Sequence, residues 1–241
     1  MKPSKTFFVH DFELFETDFD VDGNLRSNRL MQFLQNCAGQ HVKSFGLGWD
    51  DLDNMQLFWV LSKMKYRRLV PITKAVHCLR IYTWPKSPNK FFYDRLFEVY
   101  DAETERLLAE AYSQWMVVDK ATRKAVMANS VQGLLDADFA DETIELSADF
   151  ERVRKNDNYA LVGSVAVQRS TLDVNKHVNN TNYVTFVEDA LDRGADNDVE
   201  IVYHKEVLCG QRLDLYVCDL PDGTNVVGMV GDVMCFTIVL K

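Results

Sequence analysis

An internal repeat constrains this chain more than any other feature. Displaced by 153 positions (173 minus 20), Asp20-Val21-Asp22-Gly23-Asn24-Leu25 falls on Asp173-Val174-Asn175-Lys176-His177-Val178 without a gap. The same shift carries Leu30, Met31, Phe33 and Leu34 onto Tyr183, Val184, Phe186 and Val187. Few residues are identical, yet the apolar pattern holds. A strand-like alternation precedes each copy, in Phe8, His10, Phe12, Leu14 and in Leu161, Gly163, Val165, Val167. The chain therefore reads as two copies of one unit: a strand, a polar loop, a helix and then several strands.

In the first copy the helix runs from about Ser27 to Phe45, and Gly46 or Gly48 stops it. The pattern then turns to strands, over Leu57 to Leu69, Ala75 to Trp84, Phe91 to Asp101 and Leu107 to Asp119. Short connections between them predict an antiparallel sheet, and one helix with one sheet gives an α+β unit in which the sheet curls round the helix. Residues 121–149 read as a solvated acidic linker with a short possible helix near Ser130 to Leu135. The second unit follows, over 150–241: a strand at 160–169, a helix from about Asn179 to Leu191 ended near Gly194, and strands near 199–207, 212–219, 225–230 and 233–240.

Composition removes several function classes. A chain of 241 residues buries a substantial core without disulfides or metals. Five cysteines at positions 37, 78, 209, 218 and 235 show no CxxC or CxxH spacing, so neither a disulfide framework nor a zinc site is indicated. No stretch is long and apolar enough for a membrane span, Asp11 and Glu13 interrupt any signal-peptide core, and a cytoplasmic location is expected. A formal net charge of -9 argues against a nucleic-acid surface.

The chemistry gathers in the second copy of the loop. Asp173, Asn175 and His177 put a carboxylate, an amide and an imidazole on alternate positions just before a helix. Asn179 and Asn180 are credible N-caps, and free backbone N–H groups there favour a developing oxyanion. A capping turn alone explains the asparagines but gives no reason for the imidazole. The first copy has Asp22 and Asn24 where the second has Asn175 and His177, so chemistry using the ring belongs to the second unit. Aligning Lys65-Tyr66-Arg67-Arg68-Leu69-Val70 with Val202-Tyr203-His204-Lys205-Glu206-Val207 sets Glu206 on apolar Leu69. That predicts either an inward carboxylate with a raised pKa, suited to a general base, or an edge residue facing solvent. Cys209 is a weaker candidate nucleophile, because nothing nearby lowers its pKa. Lys63, Lys65 and Arg67 project from one strand face beside Arg68, either as a solvated face or as a landing place for an acidic partner.

The segment from Leu172 to Tyr183, together with Tyr203-His204-Lys205-Glu206, resembles the C-terminal half of the acyl-acyl carrier protein thioesterases. Trp59-Val-Leu-Ser, Thr83-Trp84-Pro85 and Ser113-Gln-Trp115 running to Asp119-Lys-Ala-Thr-Arg123 resemble the first half. The resemblance implies a double hotdog, two antiparallel sheets each wrapped round a long central helix. It also implies hydrolysis of the thioester between a fatty acyl chain and the phosphopantetheine arm of acyl carrier protein, without a cofactor or metal. By resemblance Asp173, Asn175, His177 and Glu206 are catalytic: Glu206 activates or holds a water, Asn175 and His177 orient it or polarise the carbonyl, and Asp173 fixes the loop and the ring. Where plant members carry a cysteine after the glutamate this chain has Val207, which speaks against an obligatory cysteine. Chain-length selection falls to the first unit, over residues 1–120, with Met31, Leu34, Leu57 and Trp59 as candidates. Lys63, Lys65, Arg67 and Arg68 are candidates for meeting the carrier. An acyl-CoA thioesterase, a non-hydrolytic carrier-binding module and a hydratase remain rivals on the same fold, and both a monomer and a homodimer fit.

Overall fold

Each unit begins at the same backbone device. In the computed structural model, which describes residues 6–131, 139–194 and 197–241, Asp20 Oδ1 accepts the N–H groups of Asp22 and Asn24 at 3.0 and 2.9 Å. Asp173 Oδ1 accepts those of Asn175 and His177 at 2.8 and 3.2 Å. The turn these carboxylates organise needs one left-handed residue. Gly23 supplies it at φ 81° and Lys176, 153 positions later, at φ 66°. A bridge between Phe19 and Leu25 closes one loop, and a bridge between Leu172 and Val178 closes the other. The repeat seen in the sequence is thus a repeat of hydrogen bonds.

After each loop comes a helix whose apolar stripe is buried. Helix α1, Ser27–Ser44, buries Leu30, Met31, Phe33, Leu34, Cys37 and Ala38, and α3, Asn182–Leu191, buries Tyr183, Val184, Phe186 and Val187. The spacing is that of one helical face packed on a sheet. Gly46 ends α1 in the left-handed region at φ 72°, as expected. Asp192 at φ 48°, not Gly194, ends α3, where Arg193 N–H returns to Glu188 O. A six-residue helix α2, Trp49–Asn54, follows α1 and was not legible as a separate element; Asp51 caps it by accepting Gly48 N–H at 2.9 Å.

The strands are β1 Phe8–Glu13, β2 Leu57–Arg68, β3 Cys78–Pro85, β4 Phe92–Asp101, β5 Leu107–Asp119, β6 Ala160–Ala166, β7 Asp198–Tyr203, β8 Arg212–Leu220, β9 Gly223–Val230 and β10 Val233–Leu240. Their order across the sheet is β1-β3-β4-β5-β2-β7-β10-β9-β8-β6, and the pairings along it are antiparallel. Two five-stranded halves therefore join at β2 and β7, from Lys63↔Val202 to Arg67↔Asp198, into one ten-stranded sheet. The strand following each helix lies at the centre. That places the end of the second unit's central strand beside the first unit's sheet, where the functional site forms.

Among the described residues of the connection between the units, the acidic side chains Asp141, Glu142, Glu145 and Asp149 are exposed, as composition predicts, while a few residues pin the segment to the sheet. Ala140 and Leu146 are buried, Trp84 Nε1–H donates to Glu142 O at 3.1 Å, and the ring of Phe150 lies 5.7 Å from that of Tyr112. Buried Glu110 on β5 accepts the N–H groups of Glu145 and Leu146 at 3.0 and 2.9 Å. Of the short helix expected near Ser130 to Leu135, Ser130 ends a 3-10 turn over Ala128–Ser130, and residues 132–135 lie outside the described residues. Glu110→Ala is expected to lower unfolding free energy by roughly 1–3 kcal/mol, the scale for stranding buried donors, in a urea titration. An unchanged midpoint would show that these bonds hold nothing in place.

Candidate active site

The loop before α3 delivers His177 and Asn175 to a cleft between the two units. Asp173 acts on the backbone, as described above, and Asp173 N–H donates to His177 O at 2.8 Å. His177 also bridges to Leu208, which ties the loop to the segment after β7. There Glu206 Oε2 stands 3.2 Å from His177 Nδ1. The carboxylate that holds the ring is therefore Glu206; Asp173 fixes the loop but does not reach the imidazole's role assigned to it. Asn175, His177 and Glu206 all line a cleft of about 740 Å³.

Of the two readings left open for Glu206, the residue facing solvent is the one the structure has, not the inward carboxylate. Its side chain keeps 38% exposure, and Leu69 is also exposed. The structural register differs from the expected one. Leu25 N–H donates to Ile72 O in the first unit and Val178 N–H to Val207 O in the second, which pairs Ile72 with Val207 and Pro71 with Glu206. Ile72 and Val207 are both buried, whereas Pro71 and Glu206 are both exposed. Two side-chain nitrogens meet this carboxylate: Arg123 Nη2 donates to Oε1 at 3.0 Å and to Oε2 at 3.1 Å, and His177 Nδ1 lies by Oε2.

Arg123 is the site residue that sequence reasoning missed. It lies in the turn after β5, with φ 56°, and its guanidinium sits 5.2 Å from the centre of the Phe58 ring. The turn is held by Asp119 Oδ1, which accepts the N–H and the hydroxyl of Thr122 at 2.7 and 2.8 Å. Those bonds, the backbone one foremost, hold the Asp119 carboxyl below its ordinary pKa. Arg123, just past the first unit's last strand, thus brings a cation to a cleft that Asp53, Ser62 and Lys120 also line, while Asn175, His177 and Glu206 come from the second unit. The signal available was the Asp119-to-Arg123 motif, whose geometry no spacing rule discloses.

The remaining candidates divide. Leu57, Trp59 and Asn180 line the cleft, as do Leu61, Trp115 and Tyr183. Met31 and Leu34 do not; they are fully buried in the main core because the stripe of α1 faces the sheet. Asn179 lies off the cleft and is not the helix cap: the N-cap is Thr181, whose N–H and hydroxyl donate to Asn179 Oδ1 at 3.0 and 2.8 Å. The N–H groups of Asn179, Thr181 and Asn182 are already bonded, to Thr171 O, Asn179 Oδ1 and Asn179 O. Those three donors at the helix start are therefore spent, while Asn180, Asn175 and His177 line the cleft. Cys209 is exposed and is not among the residues lining the cleft.

The basic strip is also different from its expectation. Lys65 is 3% exposed, pairs with Glu200 at 3.5 Å, donates to Asp149 O and lies under the Phe150 ring; burial pushes its pKa down. Arg68 is buried and donates to Leu25 O at 2.8 Å. Arg67 pairs with Asp198 at 2.9 Å and Lys63 stands over Phe150. Asp149 and Phe150 thus cover Lys65 and reach Lys63, while Arg67 stays exposed. No helix is long and apolar enough to cross a membrane among the described residues.

Two sequence profiles match the chain: one described as the acyl-ACP thioesterase N-terminal domain, over residues 5–131, and one described as the C-terminal domain of the same, over residues 154–226. A palmitoyl-acyl carrier protein thioesterase, chloroplastic, of Arabidopsis thaliana is 25% identical over 249 residues, covering 95% of this chain and 59% of its own length. An oleoyl-acyl carrier protein thioesterase, chloroplastic, of Coriandrum sativum is 24% identical over 195 residues, covering 74% of this chain and 50% of its own. The chain thus spans little more than half the length of these relatives. Among solved structures, an acyl-ACP thioesterase from Bacteroides thetaiotaomicron superposes with a TM-score of 0.86 at 22% identity, covering 97% of this chain and 96% of that one. A 12:0-ACP thioesterase from Umbellularia californica gives 0.85 at 18%, covering 98% and 96%. The two α+β units read from the repeat, and the double hotdog that the resemblance implies, match the fold of these structures.

Proposed function

The chain belongs to the acyl-ACP thioesterase family, and from that premise we propose that it hydrolyses the thioester joining a fatty acyl chain to the phosphopantetheine arm of acyl carrier protein. The observation that carries the reading is the contact of His177 Nδ1 with Glu206 Oε2 at 3.2 Å, in a cleft that Asn175 also lines. One side of that cleft is polar, and Leu57, Trp59, Leu61 and Trp115 give the other an apolar surface suited to a hydrocarbon chain.

In the mechanism we assign, water attacks the thioester carbonyl carbon while Glu206 takes a proton from it. A carboxylate oxygen has two lone-pair sites. Oε2 meets both Arg123 and His177, but Oε1 meets Arg123 alone and keeps one site for the water. The Asn175 amide donates to the carbonyl oxygen as charge builds there, the role of an oxyanion donor. Collapse of the tetrahedral intermediate breaks the C–S bond, and the proton held by Glu206 passes to the departing sulfur. The products are a free fatty acid and the carrier's thiol. Asp173 serves by shaping the loop, His177 and Arg123 by holding Glu206 from two sides. The reading places the enzyme in the cytoplasm, where its free cysteines stay reduced.

The test is hydrolysis of acyl carrier protein thioesters of graded chain length, with the matching acyl-CoA esters run beside them. Higher kcat/KM on the carrier supports the reading, and cleavage of neither ester ends it. In the same assay Cys209→Ala is expected to leave kcat/KM within about twofold, since a nucleophile's removal costs orders of magnitude and a bystander's does not. A dead Cys209→Ala variant would replace the water mechanism with a covalent one.

A further inference from the structure

A second cavity, of about 100 Å³, lies between α1 and the sheet of the first unit. Trp59 and Trp115 line both it and the catalytic cleft, so the two spaces adjoin at these rings. Ala38, Val42 and Phe45 of α1 give it apolar walls. Gln35 of α1 and Tyr93, Asp94 and Arg95 of β4 interrupt that lining, and Asp94 Oδ1 already accepts a hydrogen bond from Gln114 Nε2 at 3.0 Å. On β4 the buried positions Tyr93, Arg95, Phe97 and Val99 alternate, so a guanidinium occupies a place the strand pattern reserves for an apolar side chain.

Two of these polar groups lack the partner that buried donors normally have. Tyr93 is 6% exposed, and its Oη has no partner among the described residues; neither has the buried Nε2 of Gln35. Arg95 is 6% exposed and its Nη1 donates to His41 Nδ1 at 3.0 Å and Thr83 Oγ1 at 3.1 Å, neither of them a carboxylate. Burial pushes its pKa down to about 10. An amide N–H, a phenol and a cation around one small space are complementary to an oxygen that accepts hydrogen bonds, not to a methyl terminus.

We propose that this cavity receives the far end of the acyl chain and selects chains that carry an acceptor oxygen there, a hydroxyl or an oxo group, over plain saturated ones. The proposal rests on the thioesterase reading and adds to it a substrate class. It requires no new chemical step, only a site that rejects an analogue unable to pair its polar groups.

The experiment compares carrier-bound thioesters of equal length, one saturated and one bearing a hydroxyl or oxo group towards its tail. For the lengths the enzyme cleaves, the oxygenated ester is expected to show roughly tenfold higher kcat/KM. Tyr93→Phe and Gln35→Leu should each shrink that ratio, chiefly by lowering kcat/KM on the oxygenated ester. Equal rates on the two esters, or a ratio untouched by both variants, would overturn the proposal and leave the thioesterase reading standing. Cleavage of no thioester at all would remove both. Melting of Tyr93→Phe gives a readout independent of catalysis: an unpartnered hydroxyl predicts an unchanged or higher Tm, and a fall of several degrees would show the hydroxyl already bonded and the proposal wrong.

Discussion

Glu206→Gln is expected to lower kcat by roughly 10²–10⁴-fold, the range that a positioned proton acceptor contributes, while KM stays within a few fold. The amide keeps the size of the carboxylate and one accepting oxygen, so it still meets Arg123 or His177, but it cannot take the proton from water. Stability should barely move. Glu206 and Arg123 are 38% and 53% exposed, and a pair that open to solvent contributes under about 1 kcal/mol. His177→Gln is expected to cost less than Glu206→Gln, because in this mechanism the ring supports the carboxylate and does not itself accept the proton. The reverse order, with His177→Gln the more damaged variant, would move the base from the carboxylate to the imidazole. A Glu206→Gln enzyme with a tenth or more of the parent kcat would end the assignment.

Much of this arrangement was legible because it is local. The paired loops repeat residue for residue, so Asp173, Asn175 and His177 were found by sliding the chain on itself, and the strands of both units followed from alternation and turn residues. Glu206 was reached by aligning the repeat, with an inward and a solvent-facing reading both open, and the register of that alignment was off for a countable reason. The offset between units is 153 at the loop (176 minus 23) and 135 after the central strand (207 minus 72), a difference of 18. That difference falls where the first unit has α1 of 18 residues and then α2, and the second only α3 of 10. A helix shortened by whole turns leaves the apolar pattern intact on both sides. Pattern matching therefore lands near the right register without fixing it.

The other misjudgements are long-range. Lys65 sits on a strand face that alternation marks as outward, and nothing within β2 tells that residues near 150 lie over it; Arg68, on the opposite face, is buried against Leu25 O. Met31 and Leu34 lie on the same helix as the cavity-lining Ala38 and Val42 but point into the core. Which part of an apolar stripe borders a cavity depends on the shape of the facing sheet. Arg123 reaches 83 positions along the chain to Glu206, a contact that only the joining of two units at β2 and β7 creates.

That contact yields the second large effect. Arg123→Met is expected to lower kcat roughly 10–100-fold, the scale seen when a group that orients a reacting residue is removed. The guanidinium touches both Glu206 oxygens from one nitrogen and rests against the Phe58 ring, so it fixes where the remaining acceptor site of Oε1 lies. Arg123 is thus a positioning residue, and three readouts separate that role from a merely structural one. Arg123→Lys should recover part of the activity, because an ammonium restores the charge but not the planar donor set. The loss should fall on kcat, with KM changing little, since the residue acts on the carboxylate and not on the acyl chain. Most telling is the double variant. If Arg123 works through Glu206, then Arg123→Met in a Glu206→Gln background should cost almost nothing further, a coupling close to the whole effect of the single change. Additive losses would mean that Arg123 acts on the substrate directly, and would leave the Glu206 carboxylate to be held by His177 alone.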